Sequence, residues 1–596
     1  MSSSTTVTDG PELQEYDPEA PGPAISVPDS GDTGEGGKLK MIVQLLKKCL
    51  GVKDIAAMRL SLPASLLEPI PNLEYWHYLD RPDLFAAIND SDDPFERMLA
   101  VIRFTFTKDL KFIRGKPCKP YNSVLGEHFR CTWDVIPVKY PSDPRAPPIN
   151  RTYVAPVSSE NTSSAGSQRI IAPRLMQSQS ETASVKSIKS TKSAKSARSG
   201  FSFMSSVGWS TPATSPPLSE TNLEADMSNL SLTHSSSENI IEEDEEASSE
   251  PRVRIVYLTE QISHHPPISA YFAACPSRHL ELTGIDQISA KVSGTTVRVG
   301  PGSFNKGIFI RITGGPGEGE MYRVTHPVAQ VNGILRGNFY VTVGDSTIIT
   351  CSGGKGNDKL RTIIEYKEES WLGKPHYALE GVIHTYTEGE SEVEEWTKVK
   401  HVPQTRVVAV FEGSWRGVIR WRRASSAYSA PTTPAASQSY LSAATSLLSS
   451  SHSSSESSAS SSRSDLSGAT ANASGASEWA TLLDLTPLHV VPKSVRPLEK
   501  QLPDESRKLW QDVTANLLKK EYSEATKHKH AIEQKQRDDA AERKRKGVEF
   551  VPKYFEKDIE SGIPVLTAEG RKQIEHELQE PASYPVEGKT EKQEAS

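Results

Sequence analysis

Cysteine is scarce in this chain. Five residues among 596 (Cys49, Cys118, Cys131, Cys275 and Cys351) lie far apart, with no CxxC pair. Such a set argues against a disulfide framework and against the usual zinc-ligand spacings, and it predicts a reducing compartment. Long apolar runs are missing too. The best of them, residues 41–50 (MIVQLLKKCL), is broken by Gln44, Lys47 and Lys48, and falls short of the roughly 18–20 residues that span a bilayer. The first residues are rich in Ser, Thr and Asp, with no basic-then-apolar leader, so no secretory signal is expected. Charge of one sign is not in excess: 68 Lys and Arg stand against 75 Asp and Glu, a net of −7. A general affinity for polyanions is excluded, and any basic site must be local. Catalytic signatures are absent as well, with no GxSxG elbow, phosphate loop, HExxH or kinase set. The expectation is a soluble cytoplasmic protein that is not an enzyme and holds no metal or cofactor.

Hydrophobic residues make up only 36% of the chain, and they are unevenly spread. Residues 1–38 read as a disordered acidic tail. Residues 144–250 and 424–477 read as disordered Ser-rich inserts, the first carrying a Lys-Ser repeat at 186–198 and an acidic block at 242–246. Such compositions cannot bury enough apolar surface to offset the entropy of ordering. Inserts of this length are tolerable because loop-closure cost grows only logarithmically.

The remainder is patterned. Over 39–57 an amphipathic helix is predicted, with Leu39, Ile42, Val43, Leu46 and Leu50 on one face and Lys40, Gln44, Lys47 and Lys48 on the other, and with Gly51 placed to end it. Residues 58–143 show short helical patterns broken by Pro, an aromatic stretch at 72–78 (NLEYWHY), a stripe of Met98, Ile102 and Phe104, and a loop entering a strand near 133. From 251 to 423, β-branched and aromatic runs recur at 253–258, 280–285, 339–343, 347–351, 362–366, 379–386 and 407–411, with no ten-residue helical pattern between them. This predicts an antiparallel meander long enough to curl into a barrel. Residues 478–590 close the domain with a charged helical region at 503–549, followed by FVPKYF at 550–555. The expected class is therefore α+β, one folded domain interrupted twice.

Three motifs carry the chemistry. Residues 260–267 read EQISHHPP, a stiff corner presenting His264 and His265, because the prolines restrict the backbone and remove donors. Residues 119–127 read KPYNSVLGE, in which Lys119 and Asn122 bracket a proline and can converge on one anion. Lys529, Glu533 and Arg537 are spaced four apart and stack on one helical face. Taken singly, each also fits ordinary structural duty: satisfied loop histidines, a proline turn, a solvated helix laced with ion pairs. The basic run 543–546 is not read as a nucleic-acid site, since Glu521, Glu524, Glu533, Asp538, Asp539 and Glu542 interrupt it and no aromatic platform accompanies it.

Together, in this order, the three motifs resemble those of the oxysterol-binding-protein-related lipid-transfer family. The resemblance implies a large incomplete antiparallel barrel around a hydrophobic lipid tunnel, a helical lid at 39–57 and a C-terminal helical part. It implies that Lys119, Asn122, His264, His265, Lys529, Glu533 and Arg537 bind the headgroup of phosphatidylinositol 4-phosphate. Leu62, Pro63 and Ala64 would stand at the tunnel entrance beside a second lipid. Residues 61–69 and 119–133 are most similar to the branch that exchanges phosphatidylserine, although Ser123 and Ala64 depart from it, so a sterol stays open. So does a lipid-sensing scaffold acting through the Ser-rich inserts. Implied partners are anionic membrane surfaces, for instance contacts between endoplasmic reticulum and plasma membrane, and no nucleic acid.

Overall fold

Residues 94–107 are apolar except for Glu96, Arg97, Arg103 and three threonine or proline positions, and a helix so rich in large apolar side chains has to be largely enclosed. In the computed structural model of the chain, the helix Pro94–Thr107 starts with Pro at its first turn and with the Asp93 carboxylate accepting from the Phe95 N–H. Nearly all of its side chains are buried, Phe95, Met98, Leu99, Ile102 and Phe104 among them. The structure describes residues 25–26, 35–56, 60–62, 64–114, 118–141, 143, 146–149, 251–293, 295–334, 340–369, 376–424 and 478–580. Nearly all of the Ser-rich inserts, the whole Lys-Ser repeat and acidic block, and most of the N-terminal tail lie outside the described residues.

A twelve-stranded antiparallel sheet wraps this helix. After a short parallel pair, β1 (Ile25–Ser26) with β2 (Leu60–Ser61), come β3 (His128–Val135), β4 (Val253–His264), β5 (Pro267–Cys275) and β6 (Leu280–Asp286). Next are β7 (Ile288–Ser293), β8 (Thr296–Pro301), β9 (Ile308–Ile312), β10 (Glu320–Val324), β11 (Val328–Asn332) and β12 (Tyr340–Gly344). The last are β13 (Ser346–Gly353), β14 (Asp358–Tyr366), β15 (Ala378–Thr387), β16 (Val407–Ser414), β17 (Val418–Arg423) and β18 (Ala480–Asp484). The main sheet runs β18-β17-β16-β15-β14-β13-β10-β9-β6-β5-β4-β3 and does not close, so β3 and β18 are its edges. The open edge of β3 is covered from the chain beyond β18: Thr132 and Ser494 exchange backbone hydrogen bonds of 3.0 and 2.8 Å, and the His128 N–H donates to Asp504 at 3.1 Å. Covering the edge in this way satisfies donors that would otherwise invite another chain.

The single meander expected from the strand pattern is corrected in one respect. The hairpins β7–β8 and β11–β12 leave the main sheet and pair with each other, in the order β12-β11-β8-β7. Their residues are mostly half-buried, because one face lines a cavity instead of packing on the core.

The N-terminal helix spans Glu35–Cys49, beginning earlier and ending sooner than the expected 39–57. Gly51, at φ +84, follows it in the left-handed region. Met41 and Cys49 are its buried residues, whereas Leu50, placed by the pattern on the inner face, is 56% exposed. The chain turns away one residue after the helix ends, which carries Leu50 off the face. The following segment docks on the small sheet, with Ile55 N–H donating to Ala290 O at 2.7 Å and Asp54 accepting from Ala290 N at 2.9 Å. No helix among the described residues is long and apolar enough to cross a membrane.

Candidate functional site

Between the N-terminal helix and the small sheet lies a cavity of about 930 Å³. Its walls are apolar for most of their extent: Ile42, Leu45, Leu46 and Cys49 from the helix, Leu73 and Trp76 beyond it, and Ile288, Ala290, Val297 and Val299 from β7 and β8. A second cavity of about 310 Å³ adjoins it, sharing Trp76, Cys118, Ile288 and Val299 as walls. This volume is in the range of sites that enclose whole small molecules.

Lys119, Asn122, His264, His265, Glu533 and Arg537 all line the larger cavity. They meet because three chain segments converge. The β4–β5 hairpin turns within the motif itself, His264 opposite Pro267 in the register. The two histidines, expected to diverge on an extended strand unless the prolines bend it, stand with ring centroids 4.6 Å apart, edge to face. The loop 119–127 runs into β3 alongside β4, with Gly126 and Gln261 bonded through the backbone at 2.9 Å. The helix Tyr522–Lys546 crosses this loop, and Gln536 accepts from the Leu125 N–H at 3.2 Å.

The electrostatics there are unusual for an otherwise apolar cavity. The Lys119 ammonium donates to Asn122 Oδ1 at 2.6 Å and to Pro120 O at 3.1 Å. Burial and the nearby Lys529 ammonium push Lys119 down to about 8. Lys529 is itself buried and paired with Glu533 at 2.7 Å, one turn along the same face. It does not line the cavity but stands behind Glu533. Arg537, the third residue of that face, is held by Gln534 Oε1 at 2.9 and 3.1 Å. Two ammonium groups, a guanidinium and two imidazoles thus converge where the β3–β4 edge meets the helix, a donor set suited to a phosphate.

The second-lipid residues fare unevenly. Leu62 lines the cavity, and Pro63 lies outside the described residues. Ala64 does not reach it: it is fully buried with Tyr121, Trp510, Val513, Leu517 and Ala525. The short turn Ala64–Leu66 packs against the C-terminal helices, which directs Ala64 away from the cavity. On the lid, Ile42 and Leu46 line the cavity, while Leu39 and Val43 are half-buried beside it.

Two carboxylates inside the motifs were given no role by the sequence. Glu127 is buried beneath the 119–127 loop and accepts from Ser506 Oγ (2.7 Å), Trp510 Nε1 (3.1 Å) and the Val124 N–H (3.0 Å). Burial pushes it up to about 7 even against those three donors. Glu260 accepts from the N–H groups of Lys553 and Tyr554 at 2.7 and 2.8 Å. Each ties a cavity-lining segment to the C-terminal part, so neither needs to touch a ligand to matter. No local pattern marked either one, because Ser506, Trp510, Lys553 and Tyr554 lie hundreds of positions away in the chain. Gln536 and Arg543 also line the cavity and were missed, since on a helix polar nearly all round no pattern marks one face.

Comparison with known proteins places these observations. Residues 41–154 and 240–580 match the family profile described as "Oxysterol-binding protein". The chain is 38% identical over 548 residues to Oxysterol-binding protein-like protein 1 of Schizosaccharomyces pombe, covering 91% of this chain and 92% of that protein. It is 25% identical over 504 residues to human Oxysterol-binding protein-related protein 11, covering 84% of this chain but only 46% of that longer protein. Among solved structures, the Osh1 ORD domain in complex with cholesterol aligns with a TM-score of 0.47 at 16% identity, covering 89% of this chain and 88% of that one.

Proposed function

This chain belongs to the oxysterol-binding protein family, and from that premise we propose that it exchanges phosphatidylinositol 4-phosphate for phosphatidylserine between membranes. The observation that carries the reading is an apolar cavity ending in a cluster of cations and imidazoles. An inositol phosphate monoester bears about −1.5 to −2 charges and three strong acceptors. His264, His265, Lys119 and Arg537 would donate to it, with Lys529 adding charge from behind and Glu533 orienting Lys529. The acyl chains would run along Ile42, Leu46, Ala290 and Val299. Each methylene taken from the bilayer must be matched by roughly 0.8 kcal/mol of burial, which the apolar walls supply. With two lipids competing for one cavity, a gradient of the inositide drives the other uphill by mass action.

A sterol in place of phosphatidylserine is favoured by one observation. The adjoining cavity carries Gln287, Asn305, His326 and Tyr366 among its apolar walls, polar groups of the kind a single hydroxyl needs. Liposome transfer of labelled phosphatidylserine and of a fluorescent sterol, each with and without inositide in the acceptor membrane, separates the two. If neither moves faster than it does spontaneously, exchange is wrong and a lipid-sensing scaffold takes its place. Val299, a wall of both cavities, offers a second arm. Val299→Trp is expected to cut transfer of the inositide and of the second lipid alike, each at least ~10-fold, by filling space that both would occupy. Its urea unfolding midpoint should stay near that of the parent.

Inositide affinity is also expected to depend on pH. A bound phosphate favours the charged form of Lys119 and lifts it above its resting value of about 8. Between that value and the lifted one, binding takes up a proton, so affinity falls as pH rises, by at most about tenfold per pH unit. Below that window Lys119 is charged in both states and contributes no slope. Calorimetric titrations with inositide-containing vesicles on either side of pH 8 measure it, and an affinity flat across the window would remove Lys119 from the site.

A further inference from the structure

Among the described residues, the large aliphatic side chains standing furthest into solvent are Val551, Val548 and Leu50, at 78, 57 and 56% exposure. Isolated exposed aliphatics are ordinary, but two of these adjoin residues that line one cavity, and Val551 follows three residues after the second of them. Leu50 follows Cys49, which lines it, and the Val548 N–H bonds at 3.0 Å to the carbonyl of Arg543, which lines it from the other side.

The chain holds the two valines out by construction. Helix Tyr522–Lys546 ends at Gly547, in the left-handed conformation at φ +64. The next residues run extended with alternating exposure: the Phe550 ring packs on Gly126, Pro552 and Tyr554 are buried, and Val551 and Lys553 face solvent. Glu260 anchors the segment by accepting from the Lys553 and Tyr554 N–H groups. Exposed cations flank the apolar tips along the chain: Lys544, Arg545, Lys546 and Lys553 on either side of the two valines, and Lys47 and Lys48 just before Leu50. Glu542 and Glu549 offset part of this charge, through pairs with Lys546 and Lys557. Aliphatic tips flanked by a surplus of cations fit the boundary between anionic headgroups and acyl chains.

We propose that Val548 and Val551, with Leu50 across the cavity, enter an anionic lipid surface and dock the cavity onto it. This docking face gains its purpose from the lipid-carrying reading above, but it is measured separately. The full chain would be floated with phosphatidylcholine vesicles and with vesicles that also contain phosphatidylserine. The Val548→Asp/Val551→Asp double variant should lose at least ~10-fold in partition to the anionic vesicles, equivalent to about 1.4 kcal/mol. Val551→Trp should gain, since indole favours the interface. Both should keep the unfolding curve of the parent. Three results overturn the proposal: a parent that floats with neither vesicle, a double variant that partitions like the parent, or a Val551→Trp chain that loses partition alongside it. A parent that docks as described yet carries no lipid supports the docking face and sinks the exchange reading, so the two failures are told apart.

Discussion

Alanine at both His264 and His265 is expected to remove inositide extraction from vesicles, a loss of at least ~100-fold. Charge-assisted hydrogen bonds contribute about 1.5–3 kcal/mol each, and the two rings, 4.6 Å apart on one cavity wall, are placed to give one apiece. The hairpin itself should survive. Its turn is set by backbone pairing of His264 with Pro267 and by Ser263 with Ile268, none of which uses an imidazole. Extraction of a labelled inositide by the double variant checks this, with circular dichroism as the control for folding. Extraction equal to that of the parent would mean the histidines are structural and the phosphate, if carried, sits elsewhere.

The largest expected change in stability comes from Glu320→Ala. Arg97 projects from the enclosed helix Pro94–Thr107, and its guanidinium meets Glu320 on β10 in a two-pronged pair at 2.5 and 2.9 Å. Tyr322 donates to the same carboxylate at 2.8 Å. The side chains of Arg97 and Glu320 are only 3 and 9% exposed. Removing the carboxylate leaves a buried guanidinium that keeps, among the described residues, the Ser91 carbonyl as acceptor, at a cost of about 3–5 kcal/mol. An apolar replacement of both partners, Arg97→Met with Glu320→Leu, should cost less than the single change, because it removes the buried charge along with its partner. Urea unfolding of the two variants measures the difference. A double variant less stable than Glu320→Ala would show that the pair does more than neutralise itself.

How much of this was legible in the sequence depended on how local the signal was. The seven residues proposed for the headgroup sit in short motifs whose composition is unusual, so the family resemblance named them, and six of the seven line one cavity. Strands of high β-branched content, such as β14 and β15, were legible for the same reason. The split into two sheets was not, because pairing partners lie far apart in sequence and the half-buried strands β8 and β11 lack a clean alternation. Ala64 and Leu50 were misplaced by the same kind of gap. Whether a residue one step past a helix end, or in a three-residue turn, faces a cavity is decided by what the neighbouring elements do. Glu127 and Glu260 stood within quoted motifs, yet the partners that tie them to the C-terminal part are hundreds of positions away, and only the folded chain shows which groups they hold.

The connections that carry the Ser-rich inserts join strands that are already neighbours. Val135 lies opposite Val253 across β3–β4, and Trp421 opposite Ala480 across β17–β18. At both places the ladder of hydrogen bonds, not the covalent thread, keeps the strands together. The chain is in that sense three lengths of cloth sewn edge to edge, the longest of them reaching from β4 to β17. Cutting either thread between its stitches would leave every seam intact, and the cavity lining that includes Lys119, His264 and Glu533 would still be assembled from all three pieces.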